Sequence, residues 1–313
     1  MLPAPPPAQI ETAPERALSF PGFNQFPLSA SVVPARGLPW FAVLAPDSGP
    51  LDRDWAHPML PGSHGGRDLA QWLRGLGVGS LRYDKRIHGS RDAGLDSSLD
   101  AQTGDLRAAL AAARQLPEAQ GRKLLVLGHG EGALLALLDA RDADALLLVG
   151  MPPATMARSL EAQLRPQLPP DAAGPSLRYL EAVFQAIRTR RPTPAAAPGV
   201  LPAMARLGAS LMAPETLDFV RATLDLDPWA LAARAAAPVA LVWGDRDIQA
   251  RKPATIPPGF LGTVLEIPGA NHLLKRETRP LAALDGASAL AGYGDEVPLA
   301  DLAPLAAWIR GLP

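Results

Sequence analysis

The sequence predicts an α/β protein built on a doubly wound, mostly parallel sheet, with a helical cap inserted late in the chain. Three observations predict it. Short apolar runs of strand length recur, each bounded by Gly, Pro or Asp. Amphipathic stretches of helix length separate them. One long segment, residues 151–234, has helical patterns and no good strand. Alternating strands and helices favour a parallel sheet, because parallel neighbours need a crossover and the crossover is usually a helix.

The strand candidates are WFAVLA at 40–45, VGSLRY at 78–83, KLLVLG at 123–128, ALLLVG at 145–150, VALVWG at 239–244 and TVLEIP at 263–268. They are apolar on both alternations, as strands covered on both faces must be. Helices are expected at 67–76, 102–116, 131–140 and 302–312; in the second, Leu106, Leu110 and Ala113 share a stripe. The runs near 18–20 and 28–33 predict an antiparallel hairpin at the sheet edge. Within 151–234, helices are expected at 154–165, 176–189, 201–213 and 214–225. An all-helical insertion after a central strand reads as a cap over the carboxyl ends of the strands, where open α/β sheets bind ligands. The domain reading is therefore a core of residues 1–150 and 235–313 and a cap of 151–234.

Composition narrows the function classes. The 313 residues carry a formal net charge of −1, with 48% hydrophobic and 19% charged residues. Basic residues are scattered, so no nucleic-acid footprint is expected. There is no cysteine, which excludes disulfides, thiolate metal sites and a cysteine nucleophile. The first residues, MLPAPPPAQIETAPER, lack the basic and apolar regions of a signal peptide, and the proline-rich start, residues 1–14, reads as a loose arm. No apolar run reaches the length of about 20 residues that a spanning helix needs. A cytoplasmic location and no membrane span are expected.

The chemistry is expected where 123–128 meets Gly128-His129-Gly130-Glu131-Gly132 and a helical stretch. That is the layout of a nucleophile elbow, G-x-S-x-G between strand and helix, with Gly130 at the position that carries serine. Small residues suit the strained turn, and the N–H of Glu131 at the helix start is an expected oxyanion donor. Downstream, a strand runs into Gly244-Asp245-Arg246-Asp247, and another into Gly269-Ala270-Asn271-His272. The order nucleophile, acid, histidine makes His272 the expected general base and Asp247 its orienting carboxylate, with Asp245 as the rival acid. His129 is expected to pack beneath the elbow. His57, His64 and His88 show no metal-ligand spacing and read as surface-loop residues. No metal and no cofactor are expected.

Four stretches resemble a known family. Residues 47–54 (DSGPLDRD) resemble a G-S-G-P-x-D-R-D loop, 82–86 (RYDKR) match R-Y-D-K-R, 128–132 (GHGEG) resemble G-H-S-E-G, and 271–275 (NHLLK) match N-H-x-x-K. Together they resemble bacterial α/β hydrolases of the serine-aminopeptidase-like and esterase-like kind with a helical cap, from about Trp40 to the end. The resemblance implies the α/β-hydrolase fold, a small-molecule ester or acyl substrate, a G-x-x-D spacing that selects Asp247, and a structural ion-pair network at 83–86. It also implies a second oxyanion donor at the backbone of Ser48 or Gly49. Two positions depart from the pattern: Asp47 stands for the first loop glycine and Gly130 for the serine. Three readings follow: a carboxylic ester hydrolase inactivated at residue 130, which Gly130→Ser would revive; a hydrolase in which His272 and Asp247 activate water; or a ligand-binding pseudo-hydrolase.

Overall fold

A computed structural model describes residues 15–34, 37–60, 62–90, 92 and 94–313. The proline-rich arm expected at the start lies outside these residues. Eight strands form one sheet: β1 (Arg16–Pro21), β2 (Pro27–Val33), β3 (Trp40–Ala45), β4 (Gly79–Tyr83), β5 (Lys123–His129), β6 (Ala145–Val149), β7 (Val239–Gly244) and β8 (Thr263–Ile267). Their order across the sheet is β1-β2-β4-β3-β5-β6-β7-β8. The first two pairings, β1 with β2 and β2 with β4, are antiparallel, and the rest are parallel. All eight expected runs, the edge hairpin included, are strands.

Burial explains the central strands. All six residues of β3 are buried, and its side chains alternate between two cores. Phe41 and Val43 join Leu81, Val126 and Trp243 on one face; Trp40, Ala42 and Leu44 join Leu125 and Val242 on the other. Helices α2 (Leu99–Gln115) and α3 (Glu131–Asp139) cover the first face with Leu106, Leu110 and Leu135. Helix α1 (Gly65–Gly75) and the C-terminal helix at 303–310 cover the second with Leu69, Leu73, Leu305 and Ile309. A fully buried leucine is worth about 1.5–3 kcal/mol, so these faces supply much of the driving force. Helix α2 begins three residues before the expected start, because the Ser98 side chain accepts a hydrogen bond from Ala101 N and caps it there.

Five helices lie between β6 and β7: α4 (Met156–Leu164), α5 (Pro170–Thr189), α6 (Pro202–Leu211), α7 (Pro214–Thr223) and α8 (Pro228–Ala232), with the last helix of the chain, α10 (Ala303–Arg310), following α9 (Gly286–Leu290). Helix α5 starts six residues before the expected 176. Pro170 fits its first turn, where no N–H is needed, and Pro175 is tolerated because Leu180, Val183, Phe184 and Ile187 anchor the helix in a separate apolar cluster. Among the described residues, no helix is long and apolar enough to cross a membrane.

Candidate active site

Four strand ends converge at the carboxyl edge of the sheet. Strand β5 ends in His129, and Gly130 then turns the chain with φ +50° and ψ −111° into α3. A positive φ is strained for any residue with a Cβ, which favours glycine here. Gly132 lets the first turn of α3 press on the end of β3: a Cβ there would lie 2.3 Å from Ala45 O. That close approach sets the Pro46-Asp47 segment directly over the elbow.

Asp47 fills the elbow's vacant place. A Cβ built on Gly130 would lie 1.9 Å from Asp47 Oδ1 and 2.2 Å from its Cγ. Oδ1 accepts hydrogen bonds from Ser48 N at 2.6 Å and Glu131 N at 2.8 Å. Oδ2 accepts one from His272 Nε2 at 3.1 Å. Both expected oxyanion donors therefore converge on one point, and a carboxylate oxygen of this chain occupies it. The donor from the β3 loop is Ser48.

His272 lies beyond β8 and Asp247 beyond β7. His272 Nδ1 donates to Asp247 Oδ2 at 2.7 Å, and Asp247 Oδ1 accepts from Gln249 N at 2.7 Å and Ala250 N at 2.9 Å. Asp247 is 2% exposed. The rival Asp245 accepts instead from Gly269 N at 2.7 Å and takes no part. His272 thus sits between two carboxylates. Burial alone would lower the basicity of its ring, but the charges and hydrogen bonds of Asp247 and Asp47 outweigh burial and hold its pKa at about 10. Burial likewise pushes the Asp47 carboxyl up, yet the His272 hydrogen bond and the neighbouring imidazoles prevail and keep it well below the usual carboxylate range.

His129 is fully buried and its ring stacks on Trp55 at 5.0 Å between centroids. Its Nε2 donates to His272 O at 2.8 Å, and its Nδ1 lies 3.6 Å from Asp47 Oδ2. Of the remaining histidines, His64 pairs with Asp295 and His88 meets Pro50 O, both away from the elbow.

The charged run at 83–86 reaches the site through one residue. Lys85 Nζ donates to Glu131 Oε1 at 2.7 Å and to Asp47 O at 2.8 Å, tying the start of α3 to the β3 loop. Its neighbours Asp84 and Arg86 pair with Arg53 and Asp105. Lys85→Met leaves the Glu131 carboxylate half-buried without its partner. A loss of about 3 kcal/mol in urea unfolding is the expected result, at the lower end for a broken buried pair.

Two cavities meet at the Asp47–His272 pair. One, about 250 Å³, lies under the inserted helices and is lined by Leu134, Met156, Leu160, Phe219 and Leu226. The other, about 410 Å³, lies on the opposite side and is lined by Trp55, His57, His129 and Tyr293.

No family model and no curated protein matches the chain. Solved structures do. A proline iminopeptidase of Mycobacterium smegmatis superposes with a TM-score of 0.52 at 15% identity, over 82% of this chain and 92% of that one. An esterase of Pyrococcus furiosus gives 0.53 at 14% identity, over 87% of each chain. An α/β hydrolase of Penicillium gives 0.50 at 16% identity, over 83% and 92%. The fold is that of the α/β hydrolases. At such identities the likeness concerns the fold alone. Within the α/β-hydrolase fold the sequence reading located Gly130, Asp247, His272 and the two N–H donors, and these are the groups that meet. Asp47 as a side-chain participant was not expected, although both departures from the resembled pattern, Asp47 and Gly130, stand in the sequence.

Proposed function

We propose that this chain is a hydrolase of small ester-type substrates that attacks with water rather than through a serine ester. The observation that carries this reading is the Asp47 carboxylate standing in the space of the missing hydroxyl, in hydrogen-bond contact with a buried His272–Asp247 pair. A nucleophile lost by simple decay would leave a gap at Gly130. Here an acid fills it, is held by two backbone N–H groups, and faces a cavity under the inserted helices, which act as the cap.

A substrate carbonyl enters that cavity. Water resting against Asp47 Oδ2 attacks the carbonyl carbon and passes a proton to the carboxylate. His272 Nε2–H gives its proton to the departing alkoxide. Asp247 stabilises the imidazolium before that transfer and orients the neutral ring after it, and the proton on Asp47 then returns to His272 to reset the pair. The ester class rests on the sequence resemblance and on the shared fold of an esterase. The apolar cavity walls suit a small, largely apolar acyl or alcohol group.

A single-turnover hydrolysis of short p-nitrophenyl esters in ¹⁸O-water tests this reading. Label is expected in the released acid in the first turnover, with the Asp47 peptide unlabelled. Label in Asp47, or a covalent adduct on it by intact mass, would instead make the carboxylate the nucleophile. No turnover on a broad ester panel would overturn the reading in favour of ligand binding.

A further inference from the structure

Asp47, His129 and His272 present three ligand atoms to one point. Asp47 Oδ2 lies 3.1 Å from His272 Nε2 and 3.6 Å from His129 Nδ1, and all three atoms lie within 4.8 Å of one another. The His129 Nδ1 atom is the anomaly. Because Nε2 spends its hydrogen on His272 O, the neutral ring bears a lone pair at Nδ1. That atom is fully buried, has no hydrogen-bond partner, and faces a carboxylate oxygen that is also an acceptor. Two acceptors turned toward each other in a buried site repel, and His129 Nδ1 is left unsatisfied while Asp47 Oδ2 has only the His272 hydrogen bond. A cation between them removes the repulsion and gives Nδ1 a partner.

The surroundings are those of ligands, not of a stray cluster. Metal-bound imidazoles donate their other N–H to a carboxylate or a backbone carbonyl, and metal-bound carboxylates are themselves hydrogen-bonded. His272 Nδ1 donates to Asp247, His129 Nε2 donates to His272 O, and the free oxygen of Asp47 is held by Ser48 N and Glu131 N. Each of the three candidate ligands therefore has its outer partner in place. The two cavities border the point from both sides and leave room for water and substrate.

We propose that Asp47, His129 and His272 bind one divalent transition-metal ion of the zinc type, taking the place of the proton that His272 shares with Asp47. Two imidazoles and one carboxylate with an open position form a donor set that zinc hydrolases use. The site stands on geometry. Its role rests on the water-attack reading above and keeps the attacking water, but with His272 Nε2 and Asp47 Oδ2 as ligands a Lewis acid would replace their proton transfers: it would polarise the carbonyl and acidify water where the backbone donors are already engaged by Asp47. It also explains why acid gained and hydroxyl lost belong together, since a side chain at 130 would displace the carboxylate ligand. The sequence reading expected no metal, because ligands 82 and 143 residues apart in the chain form no recognisable spacing.

The test is binding, read without turnover. Chelator-stripped protein is titrated with ZnCl₂ by calorimetry, and Co²⁺ is added separately for its visible absorption. About one ion per chain is expected, with X-ray absorption counting two imidazoles. His129→Phe keeps the stack on Trp55 and is expected to weaken binding by about 100-fold or more and to abolish the Co²⁺ band. His88→Ala, away from the elbow, is expected to leave both unchanged. Absence of saturable binding to the wild type overturns the site, as does unchanged affinity in His129→Phe. If that variant does not fold, a wild-type absorption spectrum with no imidazole ligands is equally decisive. Water attack without zinc binding would sink this inference and leave the proposed function standing.

Discussion

Gly130→Ser alone is expected to yield no serine hydrolase. The new Cβ would fall within the Asp47 carboxylate, 1.9 Å from Oδ1, and that oxygen already holds the N–H groups an oxyanion would need. The serine would enter a strained backbone position worth about 1–3 kcal/mol and overpack it. Lower thermal stability and no labelling by a fluorophosphonate probe are the expected outcomes. The double variant Asp47→Gly/Gly130→Ser introduces both residues of the resembled pattern at once. It frees the donors, unblocks the hydroxyl's place and leaves His272 paired with Asp247 alone. Fluorophosphonate labelling, an acyl-enzyme burst and a rise in kcat on short esters of about 10²-fold or more are expected. In serine proteases the oriented nucleophile is worth up to about 10⁶. The two changes should be strongly non-additive, as residues in direct contact are. Labelling of the single variant at the rate of the double would show that Asp47 does not guard the site.

Asp105→Ala is expected to be the most destabilising single change at the antiparallel edge. Arg86 and Asp105 form a two-pronged ion pair, 2.6 and 2.7 Å, with side chains 3% and 4% exposed. Asp105 also accepts from Phe23 N at 2.9 Å, and the guanidinium lies 5.0 Å from the Phe26 ring centre. One pair thus fastens the β1–β2 hairpin and the loop after β4 onto α2. Removing the carboxylate strands a buried guanidinium and a backbone donor, at a cost of about 3–5 kcal/mol. Replacing both partners with apolar residues of similar volume should cost much less, because no charge is left unpaired. Urea unfolding of the two variants measures the difference; equal losses would mean that packing rather than charge sets the cost.

Much of the fold was legible because its signals are local. The run WFAVLA announces a strand covered on both faces, and the structure buries all six residues. Boundaries were less legible where a cap or a proline decided them, as at Ser98 and at Pro170. Gly130, Asp247 and His272 each follow a strand end that is readable from local pattern, and the structure brings these three strand ends together. Lys85 was read as one member of a charged loop; that it grips both Glu131 and the backbone of Asp47 depends on where β4 lies beside β3.

By itself, then, the amino-acid order determined the strands, the helical insertion and the positions of elbow, acid and histidine, since periodicity and turn chemistry act over a few neighbouring residues. Only the tertiary structure decided what stands at the elbow. Asp47 and Glu131 are 84 residues apart in the chain, and their contact exists because β3 and β5 are adjacent in the sheet and Gly132 allows α3 to close on the end of β3. A carboxylate filling the space of an absent side chain is a matter of shape, and shape of that kind is set by strand order rather than by any pattern along the chain.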